Sequence, residues 1–114
     1  MTVLVLEDNL IWSVKLRNGL QSLGHEAIVV SSLPPDLPRA NAAIVNLTSR
    51  ADALTQVIPR LKDAGIYVIA HAGHKDKQLL DVGRSLNCDA VVTNGILFHK
   101  LASVLSLVKI RDMH

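Results

Sequence analysis

The stretch Val3-Leu4-Val5-Leu6-Glu7-Asp8-Asn9 decides the fold, because an unbroken apolar run ends in two adjacent acids and an amide. A short aliphatic run of this kind is typical of a strand buried on both faces of a parallel sheet. The apolar run 42–45 also ends in a polar group, and there the group is the amide of Asn46. Adjacent carboxylates at the end of a strand are characteristic of divalent-metal sites for phosphoryl transfer, whereas an amide is not a phosphoryl acceptor.

Working outward from this stretch, apolar runs alternate with segments of helical periodicity along the whole chain. The runs predict strands over 2–6, 26–30, 42–47, 66–71 and 89–93. The periodic segments predict helices over 10–23, 50–64, 76–87 and 96–109, the first of them capped by Asn9. Strands that alternate with helices predict an α/β protein, with a doubly wound, five-stranded parallel sheet.

One crossover departs from this alternation. Residues 31–41 read Ser-Ser-Leu-Pro-Pro-Asp-Leu-Pro-Arg-Ala-Asn, with three prolines and no helical period. Proline disfavours a helical conformation in the residue before it and removes a backbone donor. The helix expected between the second and third strands is therefore predicted to be reduced or absent.

Length and composition restrict the class of protein. A chain of 114 residues fits one domain, 1–114, and its single cysteine, Cys88, excludes an internal disulfide framework. Because no signal peptide or membrane-length apolar stretch is present, we expect a cytoplasmic protein without membrane contact. The net charge is +2, with acids interleaved among the basic residues, so we expect no nucleic-acid partner. The chain ends shortly after the last predicted helix, and we expect no output domain to follow.

The strand–helix order, the opening Val-Leu-Val-Leu-Glu-Asp-Asn and the stretch Asn87-Cys-Asp-Ala-Val-Val-Thr-Asn-Gly-Ile96 together resemble the receiver domain of bacterial response regulators. The resemblance covers essentially the whole chain and implies a flavodoxin-like receiver topology. In that family an acidic pair after the first strand helps to bind Mg²⁺, and an Asp that ends the third strand accepts the phosphoryl group. A Ser or Thr ends the fourth strand and a Lys ends the fifth.

The resemblance assigns positions in this chain to those roles. Glu7 and Asp8 match the acidic pair, and Asn46 occupies the position of the acceptor Asp. The hydroxyl position falls on Ala72, or on His71 if one residue is inserted, and the lysine position falls on Asn94. The pocket is thus predicted to be degenerate, without a catalytic residue.

An amide at position 46 removes the nucleophile and one negative charge from the metal site. Mg²⁺ prefers carboxylate oxygen, so we expect at most weak Mg²⁺ binding by Glu7 and Asp8, and no cofactor. His71 and His74 supply too few ligands for a zinc site. The two acids are also explained without a metal, as favourable charges near a helix N-terminus.

Apolar residues outside the predicted core stripes indicate an interaction surface on the last two helices and the strand between them. Receiver domains commonly pair or signal through this surface. We predict an interaction face that includes Leu80, Val91, Phe98 and Leu107. It would serve a protein partner or a homodimer, although single exposed apolar residues are also normal on protein surfaces.

The sequence therefore predicts an atypical, stand-alone receiver-like domain that acts by protein contact, is not an enzyme and is independent of Asp phosphorylation. A first alternative is a receiver-like domain controlled by a small ligand or metal in the remodelled pocket. A second is a small enzyme on a flavodoxin-like sheet that uses Glu7, Asp8 and His71, although no nucleophile–base pair is evident.

Overall fold

The apolar runs form the strands of one parallel sheet. The computed structural model describes residues 1–49 and 53–112, and its strands are β1 (Thr2–Leu6), β2 (Glu26–Val30), β3 (Ala42–Asn46), β4 (Tyr67–Ala72) and β5 (Ala90–Thr93). The strand order is β2-β1-β3-β4-β5, and all neighbouring strands pair in parallel. The predicted five-stranded α/β architecture is confirmed.

The helices are α1 (Leu10–Ser22), α2 (Leu54–Asp63), α3 (Lys77–Ser85), α4 (Asn94–His99) and α5 (Leu101–Asp112). Asn9 caps α1 as predicted, because its side-chain oxygen accepts a 3.1 Å hydrogen bond from the Trp12 N–H. The predicted start of the second helix at residue 50 lies outside the described residues. In the described part of the chain, none of the helices is long and apolar enough to cross a membrane.

The prediction of one last helix over 96–109 is wrong. The chain leaves the helical conformation at Lys100, whose φ is −129° and ψ is 38°, and this residue separates α4 from α5. Both short helices bury side chains in the same apolar cluster, Leu97 from α4 and Val104 from α5. The change of direction therefore keeps both helices packed on the sheet.

Side chains alternate between two cores, one on each face of the sheet. Leu4 and Leu6 of β1 point into the core under α2 and α3. Val3 and Val5 point into the core under α1, α4 and α5. This alternation is the normal period of a strand, and it determines on which face each residue at the end of a strand lies.

The crossover segment, residues 31–41, forms no helix or strand, and the structure describes all of it. Leu33, Leu37 and Ala40 pack against the α2/α3 core in place of a helix. From α2, the Arg60 guanidinium donates hydrogen bonds of 2.8 and 3.1 Å to the carbonyl oxygens of Pro34 and Pro35. The predicted loss of the second crossover helix is confirmed, and in its place the segment packs apolar side chains on the α2/α3 core and is bonded to Arg60.

Candidate functional site

The polar residues that end the central strands lie on one face of the sheet. Asn46 pairs in register with His71, and both follow the alternation that places Ile44 and Ile69 in the core under α1, α4 and α5. Glu7 follows Leu6 at the end of the adjacent strand β1. The strand order reverses between β1 and β3, and in open α/β sheets this switch point is where ligands bind.

Glu7 is the buried acid of the site, with only 2% of its surface exposed. Its carboxylate accepts hydrogen bonds from the Asn46 side-chain amide at 2.8 and 3.2 Å, one to each oxygen. One of these oxygens also accepts from the Asn9 backbone N–H at 3.3 Å and from the Ser49 hydroxyl at 3.4 Å. A buried carboxylate is costly unless it is hydrogen-bonded, and here neutral donors supply those bonds.

The orientation of the Asn46 amide is fixed at both ends. Its nitrogen donates to Glu7, and its oxygen accepts from the Thr48 backbone N–H at 3.0 Å. Reversing the amide would place a carbonyl oxygen against the carboxylate and an NH₂ group against an N–H donor, so the network determines the assignment. Asn46 therefore presents a donor, not an oxygen ligand, to the acid beside it.

His71 is the other buried polar residue at the carboxyl ends of the strands, with 2% of its surface exposed. Its Nδ1 lies 2.7 Å from the Asn94 side-chain oxygen, so Nδ1 carries the proton and donates it. Its Nε2 is buried and accepts no hydrogen bond from any described residue. Burial lowers the pKa of His71 below 6.5, while the Asn94 bond and the Glu7 charge partly offset this effect.

A pocket of about 340 Å³ opens above these groups. Its lining residues are Glu7, Asp8, Asn9, Trp12, Asn46, Thr48, Ser49, Asp76 and Asn94. Four of the five predicted pocket residues thus come together, and Ala72 does not. The Ala72 methyl belongs to the core on the opposite face, whereas His71 shares the face of Glu7 and Asn46.

Sequence reasoning did not identify Thr48, Ser49 and Asp76 as pocket residues. Each lies in a loop that follows a strand, β3 for the first two and β4 for the third. The general rule that loops after the carboxyl ends of parallel strands build the site could have indicated them. Their residue types alone gave no signal, since Ser, Thr and Asp are common in any turn.

Glu7 and Asn46 do not present free oxygen ligands to Mg²⁺ as they are arranged. Both Glu7 oxygens already accept hydrogen bonds, and the Asn46 oxygen is turned toward the Thr48 N–H. Within residues 1–49 and 53–112, no group of three or more His, Cys, Asp or Glu side chains is placed to hold a metal ion. A hydrated Mg²⁺ usually needs carboxylate ligands with free oxygens.

An aromatic pair joins the pocket to the helices. The rings of Trp12 on α1 and Phe98 on α4 lie 4.7 Å apart, centre to centre, and the Lys15 ammonium lies 5.5 and 5.2 Å from them. Phe98 also meets the His71 ring in an edge-on contact at 6.2 Å. Phe98 thus links Trp12, which lines the pocket, to the buried histidine.

The predicted interaction face is partly wrong. Leu80 is only 7% exposed and belongs to the α2/α3 core, because α3 turns this residue toward the sheet. Val91 and Phe98 are half-buried, and of the four only Leu107 is exposed, with 40% of its surface accessible. Ile110, one turn further along α5, is 51% exposed and adds to the apolar surface of that helix.

No protein family model and no curated protein matches the sequence. Solved structures do match the fold. A response regulator receiver protein from Burkholderia phymatum superposes with a TM-score of 0.78 at 18% identity, covering 94% of this chain and 93% of the other. The receiver domain of the TMAO respiratory system response regulator TorR gives 0.80 at 14% identity, covering 96% and 97%.

A CheY-like protein from Pseudomonas aeruginosa gives a TM-score of 0.77 at 18% identity, covering 95% of this chain and 98% of the other. Similarity at these identities establishes the fold and leaves function to the site itself. The architecture expected from the opening stretch is therefore present over nearly the whole length of the chain. The protein has the flavodoxin-like fold of response regulator receiver domains.

Proposed function

We propose that this protein is an atypical receiver-like domain that signals by contact with a protein partner, without phosphorylation of an Asp and without enzymatic activity. The proposal combines the receiver fold with the chemistry of the pocket. Fold alone does not determine function, so the pocket carries the argument.

The decisive observation is the hydrogen-bonded pair of Asn46 and Glu7. Phosphoryl transfer needs an oxygen nucleophile, a metal and donors around the transferred oxygens. At the acceptor position the side chain is an amide, and it donates both of its short bonds to the acid that would hold the metal. Asn94 supplies an amide where the family has a lysine cation, and it is bonded to His71.

Trp12 lines the pocket and can report its occupancy by fluorescence. We expect no saturable change when Mg²⁺ and beryllofluoride are added, and no phosphorylated species by mass spectrometry after acetyl phosphate treatment. A saturable fluorescence change, or an added phosphoryl mass on an acidic residue, would contradict the proposal.

The double variant Asn46→Asp, Asn94→Lys is the positive control. It restores a carboxylate and a cation at the two positions that the resemblance assigns to them. We expect the variant to bind Mg²⁺ with a change in Trp12 fluorescence. If Mg²⁺ changes the Trp12 fluorescence of the variant and not that of the natural chain, the natural chain fails to bind Mg²⁺ because it lacks these two groups. Its fold is then not the cause.

The surface that we propose for a second copy of the chain is the exposed side of α5. Leu107 and Ile110 lie three positions apart, so their side chains share one helix face. Leu107→Glu should abolish any concentration-dependent increase in mass. Phe98→Glu is not a clean test, because Phe98 packs on Trp12 and its loss would also damage the core.

A second candidate is control by a small ligand in the pocket, favoured by its open volume of about 340 Å³. Titration with metabolite pools would reveal such a ligand through the fluorescence of Trp12.

An enzymatic role has less support. The enzyme alternative would use Glu7, Asp8 and His71, but the Glu7 carboxylate is hydrogen-bonded to the Asn46 amide, and His71 is buried and bonded to Asn94.

A further inference from the structure

The sequence contains two Asn-Gly pairs, Asn18-Gly19 and Asn94-Gly95. In such a pair the glycine backbone nitrogen can attack the side-chain carbonyl of the asparagine, because glycine has no Cβ to hinder the approach. The attack closes a succinimide ring and releases ammonia, and water then opens the ring to aspartate or isoaspartate. The two pairs share this chemistry, so a difference between their reaction rates in the folded protein comes from the surrounding structure.

The surroundings of the first pair hinder the reaction. Asn18 and Gly19 lie inside α1, where each backbone N–H bonds to the carbonyl oxygen four residues earlier and is held along the helix axis. A Cβ on Gly19 would also lie 3.0 Å from a methyl group of Leu101 on α5. Close packing of two helices therefore accounts for the glycine at position 19.

The second pair begins α4 and is less constrained. Gly95 is the second residue of this helix, so its N–H has no carbonyl oxygen one turn earlier in the helix to bond. The Thr93 hydroxyl caps the next N–H instead, that of Ile96, at 3.3 Å. Gly95 is exposed, and a Cβ built on it meets no atom of the described residues within 4 Å. Packing therefore does not account for the glycine at position 95.

The carbonyl that would be attacked is already polarised. Oδ1 of Asn94 lies 2.7 Å from Nδ1 of the buried His71, which donates its proton to this oxygen. Negative charge develops on the oxygen during the attack, and a donor fixed in place stabilises that charge as an oxyanion hole does. Asn94 also lines the open pocket of about 340 Å³, through which ammonia can leave and water can enter.

We propose that Asn94 is a site of spontaneous deamidation in the folded protein, with the Gly95 backbone nitrogen as the nucleophile and the His71 Nδ1–H as the donor to the carbonyl oxygen. The Gly95 nitrogen loses its proton to solvent and forms a bond to Cγ of Asn94. The bond from Cγ to Nδ2 then breaks, and Nδ2 takes up a proton and leaves as ammonia. A water molecule adds to a carbonyl carbon of the ring and opens it.

The product has a carboxylate at position 94 in place of a neutral amide. It adds a negative charge to a pocket that Glu7 already lines, and the charge lies beside the His71 ring. A carboxylate next to an imidazole favours its protonated form, so the pKa of His71 should rise relative to the unmodified chain. The reaction needs neither a protein partner nor a phosphoryl group, so this proposal is independent of the proposed function.

The test is incubation of the folded chain in heavy-oxygen water at mildly alkaline pH, followed by peptide mapping with mass spectrometry. The label enters each aspartate or isoaspartate that forms. We expect deamidation at Asn94 to be at least about tenfold faster than at Asn18. In concentrated urea the two rates should become similar, because the surroundings of both pairs are lost. Equal rates in the folded chain, or a faster reaction at Asn18, would overturn the proposal.

Two variants test the assigned roles. Gly95→Ala should slow deamidation at Asn94 about tenfold, and it should fold normally because the added methyl group meets open space. His71→Leu removes the donor and should also slow the reaction at least about tenfold in the folded chain, but not in urea. Mere loosening of α4 by the second variant would speed the reaction. An unchanged or faster rate in either folded variant would therefore overturn the proposal.

Discussion

The side-chain nitrogen of Asn46 lies 2.8 and 3.2 Å from the two carboxylate oxygens of Glu7, so one amide satisfies both oxygens of a buried acid. This pair occupies the place where the resemblance puts a metal between two carboxylates. A cation at this place would stabilise the Glu7 carboxylate through its charge. The Asn46 amide provides part of that stabilisation through hydrogen bonds. Glu7 can therefore stay buried without a bound cation.

Asn46→Asp should destabilise the protein. The change removes both hydrogen bonds to Glu7 and sets a second carboxylate beside it. We expect the free energy of unfolding at neutral pH without metal to fall by about 1–3 kcal/mol, measured by urea denaturation. Millimolar Mg²⁺ should recover part of the loss, because a ligand that binds only the folded state stabilises it.

Asn9→Asp is the control for this change, since it adds the same charge at the rim of the same pocket. Asp is as good a helix cap as Asn, so the stability should stay within about 0.5 kcal/mol of the natural chain. Equal losses in the two variants would attribute the effect to added charge and not to the broken Asn46–Glu7 bonds.

His71 should make stability depend on pH. Its pKa is lowered by burial, so the unfolded chain takes up the proton more readily than the folded one. The contribution of the neutral ring is complete above the unfolded pKa of about 6.5 and is lost as the pH falls from there toward the lower folded pKa. Urea unfolding between pH 5 and 7.5 should show this loss.

His71→Gln should remove the part of the pH dependence of the unfolding free energy that is due to this ring. This holds whatever the absolute stability of the variant. His74→Gln, at an exposed position three residues later, should leave the slope unchanged. An identical slope in His71→Gln and the natural chain would refute the assignment.

Asp89 should contribute to stability more than a surface acid does. Its carboxylate accepts from the Val68 backbone N–H at 2.8 Å and from the Lys62 ammonium at 2.8 Å. Asp89→Ala leaves the N–H of a central strand unsatisfied and should cost about 1–2 kcal/mol by thermal or urea unfolding. Asp81→Ala breaks the exposed pair with Arg84 and should change stability by at most about 0.5 kcal/mol.

Phe98→Leu should alter the environment of Trp12. The two rings are 4.7 Å apart, and such aromatic contacts contribute about 0.5–1.5 kcal/mol beyond their buried area. We expect lower stability and a shifted Trp12 emission maximum. Leu107→Ala, on the exposed side of α5, should leave the emission unchanged. A variant of Phe98 with unaltered Trp12 emission would contradict the described packing.

The parallel sheet was predictable because it depends on the alternation of apolar runs with helical segments, and the topology was implied by the resemblance to receiver domains. The run 3–6 and the acids after it predict β1, and the prolines of 31–41 predict the absence of a crossover helix. The resemblance to receiver domains assigned Glu7, Asn46 and Asn94 to one pocket, and the structure brings them together because parallel strands share their carboxyl ends.

Other features depend on geometry that one sequence does not contain. Residues 99–101 include neither Pro nor Gly, so no helix-breaking residue predicts the end of α4 at Lys100. The burial of Leu80 depends on how α3 is rotated over the sheet. The bond between Asn46 and Glu7 joins residues 39 positions apart and becomes visible only when β1 and β3 are paired.

The helix-free crossover segment also bears on how the chain folds. Bringing two strands together costs less entropy when the segment between them is short, and folding is faster when contacting residues are closer in sequence. By omitting a helix, residues 31–41 shorten the path from β1 to β3, the two strands that carry Glu7 and Asn46. That pairing joins residues 39 positions apart, more than any other strand pair of the described sheet, so the short crossover lowers the cost of the longest-range step in assembling the sheet.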